Sequence, residues 1–219
     1  MTAVEMLDLL GLRLEDPEGK AFSENAKLKA LNVAQMTIVN LCENSLLTEL
    51  ETSTDVTLDA SGTYDLSLLD PLAIRNGVYA VKNKNTDINA FINLIEFKDV
   101  KRLENSYLGS SNTNPVGYVF KNTLYSEPAN ADAVTIYYLG KPDDMGPSTA
   151  STLDESLHEI LVDLAESQLW KMDGQYERAT VAQTNAMNIL NALNGRVISE
   201  KPQGVGTYGR VASANPKGV

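Results

Sequence analysis

The first fifty residues carry apolar positions at helical spacing. Thr2 and Glu5 form a T-x-x-E capping box ahead of a short helix that we predict to end near Gly11. Ser23 is expected to cap a longer second helix that ends near Ser45. The apolar positions of this second helix recur at three- and four-residue intervals, at Leu28, Leu31, Ile38, Leu41 and Cys42.

Between Thr52 and Leu139 the pattern changes to short β-forming runs separated by turn residues. The predicted strands include Val56 and Leu58, Tyr64 and Leu66, and the stretches 78–81, 91–95, 117–120, 123–125 and 134–139. One stretch, 98–107, has helical spacing instead. Because the links between the runs are short, hairpins are expected, and the region is predicted to form an antiparallel sheet.

The pattern becomes helical again near the C-terminus. Thr152 and Glu155 form a second T-x-x-E box before a helix that ends at Gly174. The next helix is predicted from about Gln175 to Asn194, with Gly195 as its C-cap.

These elements predict an α+β fold. In it, a helical bundle of the N-terminal helices and a C-terminal α-hairpin carries an inserted antiparallel β-rich region and an extended C-terminal tail. The predicted segments are 1–50 for the N-terminal helices, 51–147 for the β-rich insertion, 148–196 for the hairpin and 197–219 for the arm.

The composition and the net charge exclude some classes of protein. Hydrophobic residues make up 43% of the 219 residues, which is enough for a core. The net charge of -11 argues against a primary role in binding nucleic acid phosphates. The single cysteine, Cys42, excludes an intrachain disulfide and is expected to be a buried small apolar residue. No signal peptide is expected, and no apolar run approaches the roughly 20 residues of a membrane span.

Constellations of catalytic residues are missing from the sequence. His158 is the only histidine, so a zinc site has neither a second histidine nor a cysteine pair. We expect it to be an exposed helix residue. There is no P-loop and no G-x-S-x-G, and the glycines of 204–209 have no following helix pattern. The sequence therefore predicts no enzyme activity, no metal and no cofactor.

The helix that follows Leu153 has a strongly acidic side. Its acids Glu155, Glu159, Asp163 and Glu166 fall within about 80° of one another, opposite the apolar side. Like charges at this spacing repel. Either these residues form an ordinary solvated face, or they form an acidic surface to which DNA does not adhere. We predict that they face a channel or an exposed surface, and not the core of the subunit.

The next helix has an outer side that is almost uncharged. That side carries Thr184, Asn185, Asn188 and Asn191. Small uncharged polar side chains suit a face that packs against another protein, where an unpaired charge would be costly. The alternatives are an intersubunit contact and a plain surface.

The last nineteen residues, 201–219, contain three basic residues, Lys201, Arg210 and Lys217, and no acid. Fully extended, they reach roughly 60 Å. The tail is open to interpretation as a solubility segment, a DNA contact or a docking arm. We favour the arm, because Val205, Tyr208 and Val211 are spaced as apolar anchors and Arg210 is placed to pair with an acid.

The layout of helices, β-rich region, helical hairpin and tail resembles the head-to-tail adaptor (head completion, or connector) proteins of tailed bacteriophages. The stretches that carry the resemblance are LRLEDP at 12–17, LNVAQ at 31–35, LHEILVDLAE at 157–166 and DGQYERA at 173–179. The resemblance implies a structural virion protein of the neck, made in the bacterial cytoplasm and without catalytic residues.

The same resemblance implies the partners. These are further copies of the chain in a ring, commonly of twelve, the portal protein, a tail or tail-nozzle protein, and DNA as a passing contact. Two alternatives stay open: another neck or tail-side protein, such as a stopper or tail terminator, and a non-viral soluble ligand-binding module. The pocket of such a module would be lined by Tyr79, Phe91, Tyr118 and Tyr138.

Overall fold

The computed structural model describes residues 1–84, 91–104 and 109–200. The helices of this part are α1 (Ala3–Arg13), α2 (Glu24–Leu41), α3 (His158–Met172) and α4 (Tyr176–Glu200). The strands are β1 (Glu51–Thr57), β2 (Thr63–Asp65), β3 (Ala73–Asn83), β4 (Phe91–Leu94), β5 (Val116–Phe120), β6 (Thr123–Glu127) and β7 (Ala133–Gly140). None of the described helices combines the length and the apolar character needed to cross a membrane.

Both predicted caps of the N-terminal helices are confirmed. The Thr2 hydroxyl accepts the backbone N–H of Glu5, and the Glu5 carboxylate accepts the backbone N–H of Thr2 at 2.7 Å. The Ser23 hydroxyl accepts the N–H of Ala26. The predicted ends are less accurate, since α1 continues to Arg13 and α2 stops at Leu41.

A carboxylate organises the corner between α1 and α2. Asp16 accepts backbone N–H groups from Lys20, Ala21 and Phe22 at 2.7–3.2 Å. These hydrogen bonds hold the pKa of Asp16 below its usual range, and the one from Phe22 has the largest effect. Burial of the carboxylate acts in the opposite direction. The ammonium of Lys27 donates to the Asp16 carbonyl oxygen at 2.9 Å. The corner that orients the two helices is thus fixed largely by one side chain.

The seven strands form one sheet in the order β1-β7-β3-β4-β5-β6-β2. Neighbouring strands are antiparallel except β4 and β5, which are parallel, with Asn93 opposite Val116. The two edge strands, β1 and β2, follow each other in the chain and are joined only by residues 58–62. Because so short a link brings the edges together at one end, the sheet curls into a nearly closed, barrel-like form.

The prediction of a helical bundle with an inserted antiparallel β region is therefore wrong. The sheet is mixed, and its barrel-like closure makes it a principal part of the fold. Closure depends on pairings between distant segments, such as Glu51 with Leu139, which no local pattern reports. The stretch predicted as a helix at 98–107 is a 3-10 helix over Phe97–Glu104, and its remainder lies outside the described residues.

Two apolar clusters meet at strand β7. Its Val134, Ile136 and Tyr138 side chains lie in the interior of the curled sheet. Leu139, on the opposite face, belongs to the core formed by the helices. Period-two alternation thus lets one strand serve both cores. The buried Tyr138 hydroxyl is satisfied by the hydroxyl of Thr54 at 3.0 Å.

Two predictions for the C-terminal helices need correction. Asp154, and not Thr152, caps the turn before α3, where its carboxylate accepts the N–H of Ser156 at 2.9 Å. The final helix does not end at Gly195 but continues to Glu200. Gly174 does separate α3 from α4, with a φ of 78°, as predicted.

Candidate interaction groove

A groove with a volume of about 870 Å³ runs along the antiparallel pair α3 and α4. One wall is acidic and consists of Glu159, Asp163 and Glu166 from α3. The other wall belongs to α4 and includes Val181, Asn185, Asn188 and Ile189. The predicted acidic side of α3 and the predicted uncharged side of α4 therefore border the same groove. We refer to it as the α3–α4 groove.

A single arginine from α1 neutralises much of the acidic wall. The guanidinium of Arg13 pairs directly with Asp163 and lies 3.4 Å from Glu159 and 3.7 Å from Glu166. Arg13 offsets the repulsion between acids on successive turns of α3. The sequence alone does not predict this ion pair, because Arg13 is 146 positions from Glu159. The only local signal is its place in the last turn of α1, where a basic residue interacts favourably with the helix dipole.

The four predicted acids do not share one environment. Glu155 and Glu159 are exposed, Glu166 is partly buried, and Asp163 is only 7% exposed. The expectation that all four acids avoid the subunit core is therefore wrong for Asp163, which is buried and pairs with Arg13 of the same chain. The idea that the exposed members face a DNA channel stays a prediction.

The α4 wall combines amides with uncovered aliphatic side chains. Asn185 and Asn188 are exposed between Val181, which is 62% exposed, and Ile189, which is 41% exposed. Thr184 and Asn191, the other members of the predicted intersubunit face, are exposed beside them. Helical periodicity places Ile189 on the apolar face of α4 and gives Val181 no role, so the exposure of these two side chains is a finding of the structure.

The only tryptophan of the chain, Trp170, lies at one end of the groove. It is almost wholly buried, and its indole N–H donates to the Glu166 carboxylate at 3.1 Å. The guanidinium of Arg178 lies 4.7 Å from the ring centroid and also bonds Glu15 at 3.3 Å. A cation over an indole face is a favourable arrangement. Trp170 and Arg178 therefore hold each other in place at this end of the groove.

His158 is buried, and the prediction that it is exposed is wrong. Its Nε2–H donates to the Leu153 carbonyl at 2.8 Å, and its Nδ1 lies 2.9 Å from the amine of Met1. The ring is held between α1 and the start of α3, which is a structural position. Cys42 is buried in the helical core, as predicted.

The aromatic pocket considered for a ligand-binding module is not assembled. Tyr138 lies in the sheet core, whereas Tyr79 and Phe91 are exposed and flank Tyr137 at centroid distances of 6.4 and 6.3 Å. Tyr118 stacks on Tyr125 elsewhere, at 4.9 Å. The four predicted residues therefore occupy three separate places, and only Tyr79 and Phe91 lie near each other.

Within residues 1–84, 91–104 and 109–200, no three His, Cys, Asp or Glu side chains are grouped so as to hold a metal ion. The predicted arm residues Val205, Tyr208, Arg210, Val211 and Lys217 lie outside the described residues.

The fold and the groove together define an α+β protein in which a helical core adjoins a barrel-like mixed sheet at strand β7. No protein-family model matches the chain, and no curated protein matches it in sequence.

Proposed function

We propose that this chain is a structural assembly subunit without enzymatic activity, an adaptor that forms a homo-oligomeric ring between a phage portal and its tail. The observation that carries the proposal is the α3–α4 groove. It offers uncovered aliphatic side chains, uncharged amides and carboxylates whose charge is already partly compensated, which is the composition of a protein–protein contact and not of a reaction centre.

The α4 wall is the part best suited to a permanent contact. The centres of such interfaces are depleted in charge, and Val181, Asn185, Asn188 and Ile189 form a strip without charge. Burying this strip against a neighbouring subunit would remove aliphatic surface from water, at about 25 cal/mol per Å². In the ring, a strip of this kind lies between consecutive subunits.

The acidic character of the chain fits DNA as a passing contact only. With a net charge of -11, the protein lacks the lysine and arginine density that binds phosphates by releasing counterions. The exposed Glu155 carboxylate, which lies outside the α3–α4 groove, adds to the negative charge that repels DNA. We place it towards the channel of a ring of twelve copies, with the portal on one side and a tail or tail-nozzle protein on the other.

The basic tail supplies the attachment. Residues 201–219 act as an arm that holds the subunit to the portal or to the next adaptor, with Val205, Tyr208 and Val211 as anchors and Arg210 and Lys217 as charged contacts. Deleting the residues after Lys201 should leave the fold intact, because their sequence is rich in glycine and proline and poor in residues that build a core. It should weaken binding to the portal at least about tenfold, the equivalent of about 1.4 kcal/mol.

The deciding experiment combines native mass spectrometry with negative-stain microscopy. The full-length protein is measured alone and mixed with the portal protein of the same phage. Rings or portal-bound particles are expected. A chain that stays monomeric in both samples contradicts the proposal, and a ring that binds a tail protein but not the portal favours a stopper or tail terminator.

A further inference from the structure

The α3–α4 groove has a charge opposite to that of one segment of the same chain. Five carboxylates and two guanidinium groups line it, which gives a formal charge of -3. Residues 201–219 carry +3, from Lys201, Arg210 and Lys217. The remainder of the chain carries -14, so the basic tail is the exception in an otherwise acidic protein.

The match extends to apolar contacts. The groove presents Val181 and Ile189 two helical turns apart, about 12 Å along α4. In an extended chain, Val205 and Tyr208 lie about 10 Å apart. A tail that follows α4 can therefore place one apolar anchor at each aliphatic residue, with its basic groups directed towards the carboxylates of α3.

From these observations we infer that the α3–α4 groove of one subunit binds the C-terminal tail, residues 201–219, of a second copy of the chain. The inference rests on the proposed function, because it assigns the contact that joins consecutive subunits of the ring. The occupant is peptide in extended form, held by two apolar anchors and by ion pairs with the acidic wall.

Chain length argues against docking within one subunit. Val205 is five residues beyond the end of α4 and reaches about 17 Å when extended, and Ile189 lies about 17 Å back along the helix. Tyr208 reaches about 26 Å, whereas Val181 lies about 28 Å back. With Val205 at Ile189 and Tyr208 at Val181, a tail that turned back into its own groove would have no residue left for the reversal, whereas a neighbour's tail needs none.

The test uses a fluorescently labelled synthetic peptide of residues 201–219 and the full-length protein, diluted until native mass spectrometry shows it to be monomeric, so that no neighbour's tail occupies the groove. Peptide anisotropy reports binding, and the emission of Trp170, the only tryptophan, reports occupancy of the groove. We expect a dissociation constant between about 1 μM and 1 mM, which rises with salt because the pairing is electrostatic.

A matched pair of variants locates the site. Val181→Ser removes an exposed valine of the groove, and Val33→Ser removes one on α2 that is 54% exposed and lies outside the groove. The first should weaken binding at least tenfold, and the second should not change it. Absence of binding below 1 mM, or equal weakening by both variants, overturns the inference.

A second comparison separates docking in one subunit from docking between two. If the monomer binds the peptide only after Tyr208→Ala has disabled its own tail, the groove is filled within one subunit and the inference is wrong. Ring formation is read independently by native mass spectrometry. A ring in concentrated samples, combined with a monomer that does not bind the peptide, refutes this inference alone. Peptide binding by the monomer without a ring at any concentration, with or without the portal, refutes the proposed function alone.

Discussion

Arg13 is the residue on which the acidic wall of the α3–α4 groove depends. It contacts three carboxylates, one of them the buried Asp163. A buried carboxylate that loses its partner costs several kcal/mol, and less where water has partial access. Ion pairs between exposed side chains, such as Lys20 with Glu18, contribute little.

We therefore expect Arg13→Met to lower the free energy of unfolding by about 2 kcal/mol. Lys20→Met, its control, should change it by less than about 0.5 kcal/mol. Urea unfolding at neutral pH measures both. Adding Asp163→Asn to Arg13→Met should recover part of the loss, since the unpaired charge is then gone. Equal effects of the two single substitutions would contradict this account.

Asp16 makes stability depend on pH. Its folded pKa is depressed, chiefly by the N–H of Phe22, so its stabilising contribution is complete above the unfolded value of about 3.9. The contribution is lost as the pH falls below that value and through the folded pKa, because protonation removes the charged acceptor.

Asp16→Asn should therefore destabilise the protein at pH 7, and the difference from the wild type should shrink near pH 3. Ser23→Ala is the control, because it removes an uncharged helix cap and should cost about 1 kcal/mol at both pH values. Thermal unfolding at the two pH values provides the measurement. A loss from Asp16→Asn that is the same at both would show that the depressed pKa has no consequence for stability.

At the scale of elements, the last turns of α4 contain a residue of low helix propensity. Gly195 lies inside this helix, and a methyl group added there meets no atom within 4 Å. Gly174, between α3 and α4, has equally open surroundings but a φ of 78°. The two glycines thus differ in backbone conformation and not in packing.

Gly195→Ala should raise the free energy of unfolding by about 0.5–1 kcal/mol, because alanine loses less conformational freedom in a helix. Gly174→Ala should lower it by about 1 kcal/mol, because an L side chain is strained in the left-handed region. Midpoints of urea unfolding for the two variants provide the comparison. The same sign for both substitutions would refute the assigned backbone conformations.

At the scale of the whole molecule, β7 joins the sheet interior to the helical core. Tyr138 points into one and Leu139 into the other. Elements that share a wall in this way lose their packing together, so the described part of the chain should unfold as one cooperative unit. Trp170 reports on the helical core, and far-ultraviolet circular dichroism adds the signal of the sheet.

The two signals should give coincident urea transitions. Leu139→Ala should shift both, with a cost of about 2–4 kcal/mol, whereas Leu41→Ala, at an exposed position on α2, should cost less than about 1 kcal/mol. A tryptophan transition that precedes the circular dichroism transition would show that the helices and the sheet unfold separately.

Local signals determined much of the helical structure. A capping box needs only Thr2 and Glu5 three residues apart, and Ser23 and Gly174 mark helix boundaries through their own chemistry. The predicted strands were also placed close to observed ones, because alternation of buried and exposed side chains is a local property. Burial of Cys42 followed from the same periodicity.

Only the tertiary structure decided the closure of the sheet, the burial of His158 and Asp163, and the assembly of the α3–α4 groove. Each depends on groups that are far apart in the chain, such as Arg13 with Asp163 or Glu51 with Leu139. Charge and hydrophobicity patterns report which face of an element is polar, but not which distant side chain meets it. The sequence therefore determined the elements and their faces, whereas packing between distant segments determined the barrel-like sheet and the groove.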